Sequence, residues 1–331
     1  MAAVAAAPWG PLHGRLHRLL LRRPELLPRG SRLLLAVSGG QDSLCLLQLL
    51  LELRRLHGWG ELVVFHADHR WQPDSGERAR RLGEHIRGLG LPFVLSTAAP
   101  SPRSEAAARD WRYEEAGRQA LHHHCCQVVT GHTATDRAET MLFQLSRGCG
   151  PRGLASLRPR RSLAPGLGLV RPLLDVTREQ TGRFCADRQL PVLTDPSNDD
   201  LRFSRNRIRQ RVLKELLIIN PRAVEHLAAS AADLEADANL LDGLAAAALA
   251  RIGTSAGELS RQGLGTLAPA LASRCLIRWL AQQGVESIER RQLQTLQQLV
   301  AEAGNPGCLD LKDGYRCCVE RQTLRVERLP H

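Results

Sequence analysis

Over the first 200 residues, short apolar runs alternate with longer stretches of helical character. The runs Arg32–Val37, Leu62–His66, Phe93–Ser96, Val128–Thr130 and Leu169–Val170 are short and bounded by polar or turn residues, which predicts strands. Between them, Leu44–Leu56, Ser75–Leu89, Ser104–His122 and Ala134–Ser146 predict helices; Leu44–Leu56 carries leucine on nearly every turn and neither Gly nor Pro. Such alternation predicts an α/β fold, a parallel sheet with helices on both faces whose ligands sit beyond the carboxyl ends of the strands. Near residue 205 the composition shifts toward Ala, Leu and Gln, predicting a second, mainly helical domain. Its segment Ala245–Ala250 reads as packing surface. Close to the end, Cys308–Asp310 and Tyr315–Arg325 read as strands with Lys312-Asp313-Gly314 as a turn. The expected organisation is a helical extension over 1–30, an α/β domain over 31–204 and a mainly helical domain over 205–331.

The junction of the first strand and first long helix changes the picture most. Ser38-Gly39-Gly40-Gln41-Asp42-Ser43 places a glycine-bearing turn at the positive end of a helix dipole, the arrangement that binds phosphate. Gly39 and Gly40 let the backbone approach a ligand with no Cβ in the way, and the Ser38 and Ser43 hydroxyls can donate. The loop has no Lys and lacks the G-x-x-x-x-G-K pattern of Walker A. It also lacks the G-x-G-x-x-G spacing of dinucleotide folds.

Charge points the same way. The chain has 331 residues, a formal net charge of +11 and 43 Arg against two Lys, Lys214 and Lys312. Arg202, Arg205, Arg207, Arg209 and Arg211 crowd into ten residues, and the stretch after them, with Glu225, Asp233, Glu235, Asp237 and Asp242, is acidic. This asymmetry favours a localised polyanion surface over uniform solvation. The nine Cys form no C-x-x-C pair, which disfavours zinc-ribbon and iron–sulfur sites and reads as small buried hydrophobes. No apolar run is long enough to span a bilayer and the N-terminal Ala-rich stretch lacks a basic start, so no membrane association and a cytoplasmic location are expected.

Three further clusters carry candidate chemistry. His66-Ala67-Asp68-His69-Arg70 follows the Leu62–Phe65 strand and can touch a nucleotide, hold a metal or simply anchor its loop. Glu105, Arg109, Arg112 and Tyr113 lie three and four apart, near one helical stripe, which suits either a solvated ion-pair face or a phosphate contact. Gly131-His132-Thr133-Ala134-Thr135-Asp136 follows the fourth strand; Thr133 or Thr135 can cap the next helix. His132 and Asp136 converge at its start with Glu139 one turn on, suited to proton transfer, metal ligation or binding of an ammonium group, with a lone capping His as the plain alternative.

Taken together these stretches resemble the tRNA(Ile)-lysidine synthetase family of PP-loop ATP pyrophosphatases. The family reads S-G-G-x-D-S, here Ser38–Ser43; H-x-D-H, here His66, Asp68 and His69; and A-R-x-x-R-Y, here Ala108, Arg109, Arg112 and Tyr113. It continues with G-H-x-x-x-D-x-x-E-T, here Gly131, His132, Asp136, Glu139 and Thr140, followed by Arg147-Gly148-Cys149-Gly150 and Gly153-Leu154. Arg171–Leu174, then Asp195, Ser197 and Asn198, and finally Arg205, Asn206, Ile208 and Arg209 complete the series. The match spans about residues 32–213. It departs at Arg70-Trp71, where the family more often has Gly-Leu, and it fades beyond 215. The chain ends where longer members continue, resembling a short form.

The resemblance implies a Rossmann-like PP-loop catalytic domain over 31–204, a tRNA-binding domain after it, and ATP-dependent joining of L-lysine to C2 of the wobble cytidine of an isoleucine tRNA. The product, lysidine, moves codon reading from AUG to AUA and tRNA identity from Met to Ile; AMP and pyrophosphate are released. It further implies ATP contacts from Ala36, Ser38, Gly39, Gly40, Gln41, Asp42, Ser43 and His66, and Mg²⁺ held partly by Asp42. Asp42, His132, Asp136 and Arg205 would be catalytic, and Asp136 and Glu139 would bind lysine. Arg109, Arg112, Arg147, Arg205, Arg207 and Arg209 would bind tRNA. A homodimer stays open. The competing expectation is a PP-loop tRNA thiolase of the 2-thiocytidine type, which delivers sulfur through cysteines.

Overall fold

The computed structural model describes residues 9–193, 200–254, 257–302 and 306–329. The expected Asp195-Pro196-Ser197-Asn198 turn lies outside the described residues. The chain divides into two compact units, residues 1–235 and 236–331.

The first unit follows the order α1 (Pro11–Arg22), β1 (Leu33–Ala36), α2 (Gln41–His57), β2 (Leu62–Asp68), α3 (Ser75–Gly88), β3 (Phe93–Thr97), α4 (Glu105–His122), β4 (Gln127–Thr130) and α5 (Ala134–Ser146). Then come α6 (Pro151–Leu154), β5 (Arg160–Ala164), β6 (Leu167–Val170), α7 (Arg178–Asp187) and α8 (Ser204–Arg207), a π turn over Ile208–Val212, α9 (Leu213–Ile219) and the start of α10 (Ala223–Ile252). The strands form one sheet in the order β3-β2-β1-β4-β6-β5, parallel except for β5, which returns antiparallel to β6.

Strand alternation splits the core between the two faces. Leu33, Leu35, Leu62 and Val64 pack under α1, α2, α3 and α7. Leu34, Val63, Phe65 and Val128 pack against Tyr113, Ala116 and Ala120 of α4. The expected 1–30 extension is therefore built into the main core, with Leu12, Leu16 and Leu20 buried and His13 hydrogen-bonded to Glu52 of α2. The order of strands along the sheet reverses between β1 and β4, so a crevice opens at the carboxyl ends of these two strands.

The compact first unit runs past the expected division at 204. A small core explains this: Ala134 and Ala138 of α5 pack with Leu213 of α9 and with Val224 and Ala228 of α10. Arg137 of α5 also pairs with Glu235 at 2.9 Å.

The second unit holds the remainder of α10, then β7 (Leu259–Ser260), α11 (Arg261–Gly265), α12 (Pro269–Gln282), α13 (Arg290–Ala301), β8 (Gly307–Asp310), β9 (Tyr315–Val319) and β10 (Thr323–Arg328). Its strands form an antiparallel sheet in the order β7-β10-β9-β8. The expected Tyr315–Arg325 strand is in fact a hairpin that turns at Glu320-Arg321-Gln322. Ala245 and Ala248 are buried packing, as expected.

One cysteine expectation is corrected. Cys308 and Cys318 face each other across the β8–β9 register, with Cα atoms 4.1 Å apart, and are disulfide-bonded. Of the other seven, Cys45, Cys125, Cys185, Cys275 and Cys317 are buried thiols.

Candidate active site

The crevice is a cavity of about 460 Å³. Its floor is the turn from β1 into α2. Gly39 has φ of +85°, and a Cβ there would meet Leu193 at 2.8 Å, so this position takes glycine on both counts. Gly131 is required for a different reason. A Cβ there would lie 2.8 Å from the Asp42 carbonyl oxygen, because the chain leaving β4 passes directly against the first turn of α2.

The serine hydroxyls expected to face a ligand are partly engaged within the loop. Ser43 Oγ accepts from the Ser38 amide at 3.2 Å and donates to the Gly40 carbonyl at 2.9 Å, while Ser38 Oγ accepts from the Gly40 amide at 3.3 Å. Gln41 turns toward α7, its Nε2 donating to the Arg178 carbonyl at 2.6 Å and to Thr181 Oγ1 at 3.1 Å. Ala36, Ser38, Gly40, Gln41, Asp42 and Ser43 line the cavity, and Gly39 does not.

Asp42 sits in the first turn of α2 with its side chain 14% exposed, held by Arg178 at 2.6 Å and by the Thr181 hydroxyl. Burial pushes its carboxyl above the ordinary value, against the pull of Arg178 and Thr181. Arg178 and Thr181 belong to a helix for which the sequence reading had no role. Its N-terminus was readable, because Thr177 and Gln180 form a capping box, but its partnership with Asp42 is a contact across 136 residues.

His66 lies inside β2, which runs through Asp68 and so is longer than expected. Its Nδ1–H donates to the Val37 carbonyl at 2.8 Å, which leaves Nε2 as an acceptor at the cavity wall. Burial lowers its pKa, so the ring is neutral. Asp68 is the anchor of the loop, accepting from the Arg70 amide at 2.9 Å, where the chain turns with Arg70 at φ +56°.

At the end of β4, Thr133 caps α5. Asp136 Oδ2 accepts from the Thr133 amide at 2.8 Å and from its hydroxyl at 2.9 Å, closing a capping box. Asp136 therefore shapes the helix end and lines the cavity at once. Burial opposes its charge, but the two Thr133 bonds and the Arg209 guanidinium outweigh burial and hold its carboxyl below the ordinary range. His132 bonds Thr130 Oγ1 through Nδ1 at 2.8 Å. Burial, together with Arg171, Arg112 and Arg205, pushes it far down, so it is a neutral imidazole. Glu139, expected to line the site, lies behind the cavity wall at 1% exposure. Its two oxygens are taken by Arg209 Nε and Nη2, and the same guanidinium stands 3.8 Å from Asp136. Arg209 is thus tied into the site wall.

The remaining arginines divide. Arg109 and Arg112 line the cavity and lean on the Tyr113 ring, at 5.7 and 5.3 Å from its centroid; Arg205 enters from α8, 3.9 Å from Glu105. Arg147, stacked on Phe143, and the exposed Arg207 lie outside the cavity. Among the described residues, no group of three or more His, Cys, Asp and Glu converges to hold a metal by itself. No helix among them is long and apolar enough to cross a membrane.

A family profile described as "PP-loop domain" matches residues 15–216, and one described as "TilS substrate binding domain" matches residues 259–325. The tRNA(Ile)-lysidine synthase of Parasynechococcus marenigrum (strain WH8102) is 43% identical over 97% of this chain and 96% of its own length. The chain belongs to the tRNA(Ile)-lysidine synthase family. The synthases of Nostoc sp. (strain PCC 7120) and Synechococcus sp. (strain PCC 6301) are 41% and 46% identical, over 90% and 88% of this chain and 86% and 89% of theirs. In this lysidine synthase family member every cavity residue falls inside the PP-loop match. The substrate-binding match runs from β7 into the first half of β10 in the second unit. Among solved structures, the U34-tRNA thiolase NcsA from Methanococcus maripaludis superposes with a TM-score of 0.57, at 13% identity, over 67% of this chain and 77% of that one, a likeness of fold alone.

Proposed function

We infer that the chain joins free L-lysine to C2 of the wobble cytidine of tRNA(Ile), consuming ATP and releasing AMP and pyrophosphate. The observation that carries this reading is a single cavity shared by the Ser38–Ser43 loop, the His132–Asp136 pair and arginines from α4 and α8. In the first step the cytosine O2 attacks the α-phosphorus, the bond to the β-phosphate breaks, and pyrophosphate leaves. The glycine turn and the head of α2 receive that leaving charge. Arg112 and Arg205 face the charge that develops on the α-phosphate, and His66 offers its Nε2 acceptor to the nucleoside. In the second step the lysine ε-amine attacks C2, the C2–O bond breaks, and AMP departs with the oxygen. Asp136, ionised and at the cavity edge, holds the ammonium and accepts its proton as the amine attacks. Glu139 acts through Arg209, fixing the wall against which Asp136 stands.

Asp42 is a carboxylate on the cavity, which fits a Mg²⁺ that takes one protein ligand and the rest from phosphate and water. Bound there, the ion would screen the leaving pyrophosphate. Arg109, Arg147 and Arg207 present the tRNA surface of a cytoplasmic enzyme, and the second unit adds contacts of its own. A thiolase would need a cysteine at the reacting base, and among the described residues no cysteine lines the cavity.

The test is incubation with ATP, isotopically labelled lysine and tRNA(Ile) bearing a wobble cytidine, followed by nucleoside mass analysis. The expected product is a cytidine heavier by lysine less water. A sulfur-bearing cytidine, or unmodified cytidine after full ATP turnover, would refute the reading.

A further inference from the structure

The chain has only twelve Trp, Phe and Tyr residues among 331, and three of them, Trp71, Trp111 and Phe203, are joined in one run of ring contacts through His69. Trp71 and Phe203 lie nearly parallel, with ring planes 11° apart and centroids 6.2 Å apart, and both line the cavity. His69 tilts against Trp71 at 5.6 Å and meets Trp111 edge-on at 5.0 Å. The His69 Nδ1 atom is buried there with no hydrogen-bond partner among the described residues. Trp71 is 37% exposed, the state of a ring on a rim rather than in a core. Its indole plane is fixed, because Nε1 donates to the Pro102 carbonyl at 2.9 Å. Arg70, Arg109 and Arg205 line the same cavity as Trp71 and Phe203.

Resting on the tRNA reading above, we propose that Trp71 and Phe203 form a stacking seat for an unpaired base of the RNA loop that flanks the reacting cytidine. Rings interleaved with guanidiniums are what single-stranded nucleic acid requires: a π face for each base and cations for the backbone between bases. A neighbouring base fits better than the reacting one. The reacting cytosine must bring its O2 to the loop of Ser38–Ser43 and be read along its edge, whereas the indole N–H of Trp71 is already committed to Pro102. An indole face without a free donor accepts any base. The seat therefore supplies affinity and orientation, and base identity is read deeper in the cavity.

The experiment uses the full chain, an anticodon stem-loop with the fluorescent base pyrrolocytidine beside the target position, and the variants Trp71→Ala and Trp71→Phe. Stacking quenches the probe. Wild type and Trp71→Phe should quench it on binding. Trp71→Ala should not, and should bind the RNA about 5- to 150-fold more weakly, the cost of losing one stacked base, with ATP affinity and melting temperature unchanged. Trp71→Ala that quenches and binds like wild type overturns the seat. So does a variant that loses ATP affinity and melting temperature together with RNA, since the ring is then part of the wall. The quenching result stands apart from product analysis: a wild type that makes no lysidine refutes the proposed function, whereas one that makes it while Trp71→Ala behaves normally refutes only the seat.

Discussion

Replacing Arg209 by Ala should cost the first unit about 3–5 kcal/mol of folding stability. Glu139 is 1% exposed, and Arg209 meets both of its carboxylate oxygens. Removing the guanidinium strands a carboxylate that is shut off from water. At an m-value of about 3 kcal/mol/M, the loss corresponds to a fall of roughly 1–2 M in the urea midpoint. The loss also depends on pH. Burial already raises the Glu139 pKa above its ordinary 4.5 against the pull of Arg209, and without Arg209 it rises further. A carboxyl whose folded pKa lies above its unfolded one favours folding at low pH and loses that contribution as pH rises through the folded pKa. The deficit of Arg209→Ala should therefore be largest at neutral pH and shrink as the solution is acidified toward the ordinary carboxylate range. The assay is urea unfolding followed by tryptophan emission, with Trp9, Trp59, Trp71 and Trp111 all in the first unit. Adding Glu139→Gln should restore most of the loss by removing the stranded charge. A single variant within about 0.5 kcal/mol of wild type, or a double variant no better than the single, would refute the buried-pair account.

Arg178→Gln removes the strongest charge holding Asp42 down, so the acid limb of kcat/KM for ATP should shift to higher pH; an unmoved limb would separate Asp42 from the step being measured. Asp136→Asn keeps an oxygen for the Thr133 amide and hence the helix cap, so it should release pyrophosphate and form adenylated tRNA but stall before lysine incorporation; parallel loss of both activities would assign Asp136 to adenylation. Arg207 is exposed and outside the cavity, so Arg207→Ala should leave stability and ATP affinity alone while lowering the log–log salt slope of tRNA binding by about 0.7–0.9, and an unchanged slope would remove it from the RNA surface.

What could be read in advance followed from local signals. The helix Ala134–Ser146 was expected with its observed bounds, since Thr133 and Asp136 form a capping box that the sequence displays. The central strands declare themselves as unbroken apolar runs because both faces are covered. β5 gave no such signal: it is an edge strand, with Arg160, Arg161 and Ser162 exposed. The turn inside Tyr315–Arg325 was hidden because Glu320-Arg321-Gln322 contains neither Gly nor Pro. At the site, Asp42, His132 and Asp136 were legible as motif members. The clamp from Arg178 and Thr181 was not, nor was the withdrawal of Glu139 behind Arg209. Both depend on which distant segments the fold brings together.

That dependence bears on how the protein comes into being. The acids of the site are made early, Asp42 on α2 and Glu139 on α5, and their counter-charges late, Arg178 on α7 and Arg209 just past α8. A growing chain that has emerged only as far as α6 already holds β1 to β4, yet it cannot balance these carboxylates. Before residue 178 appears Asp42 has no clamp, and before residue 209 Glu139 lacks the cation that accompanies it into the core. The nascent enzyme is thus electrostatically unfinished until synthesis is well past the midpoint of the chain. A half-made chain should not turn over ATP, because the order in which its charges arrive leaves the nucleotide site unassembled. Truncations ending before 209 should behave as loosely packed, nucleotide-blind polypeptides rather than as smaller enzymes.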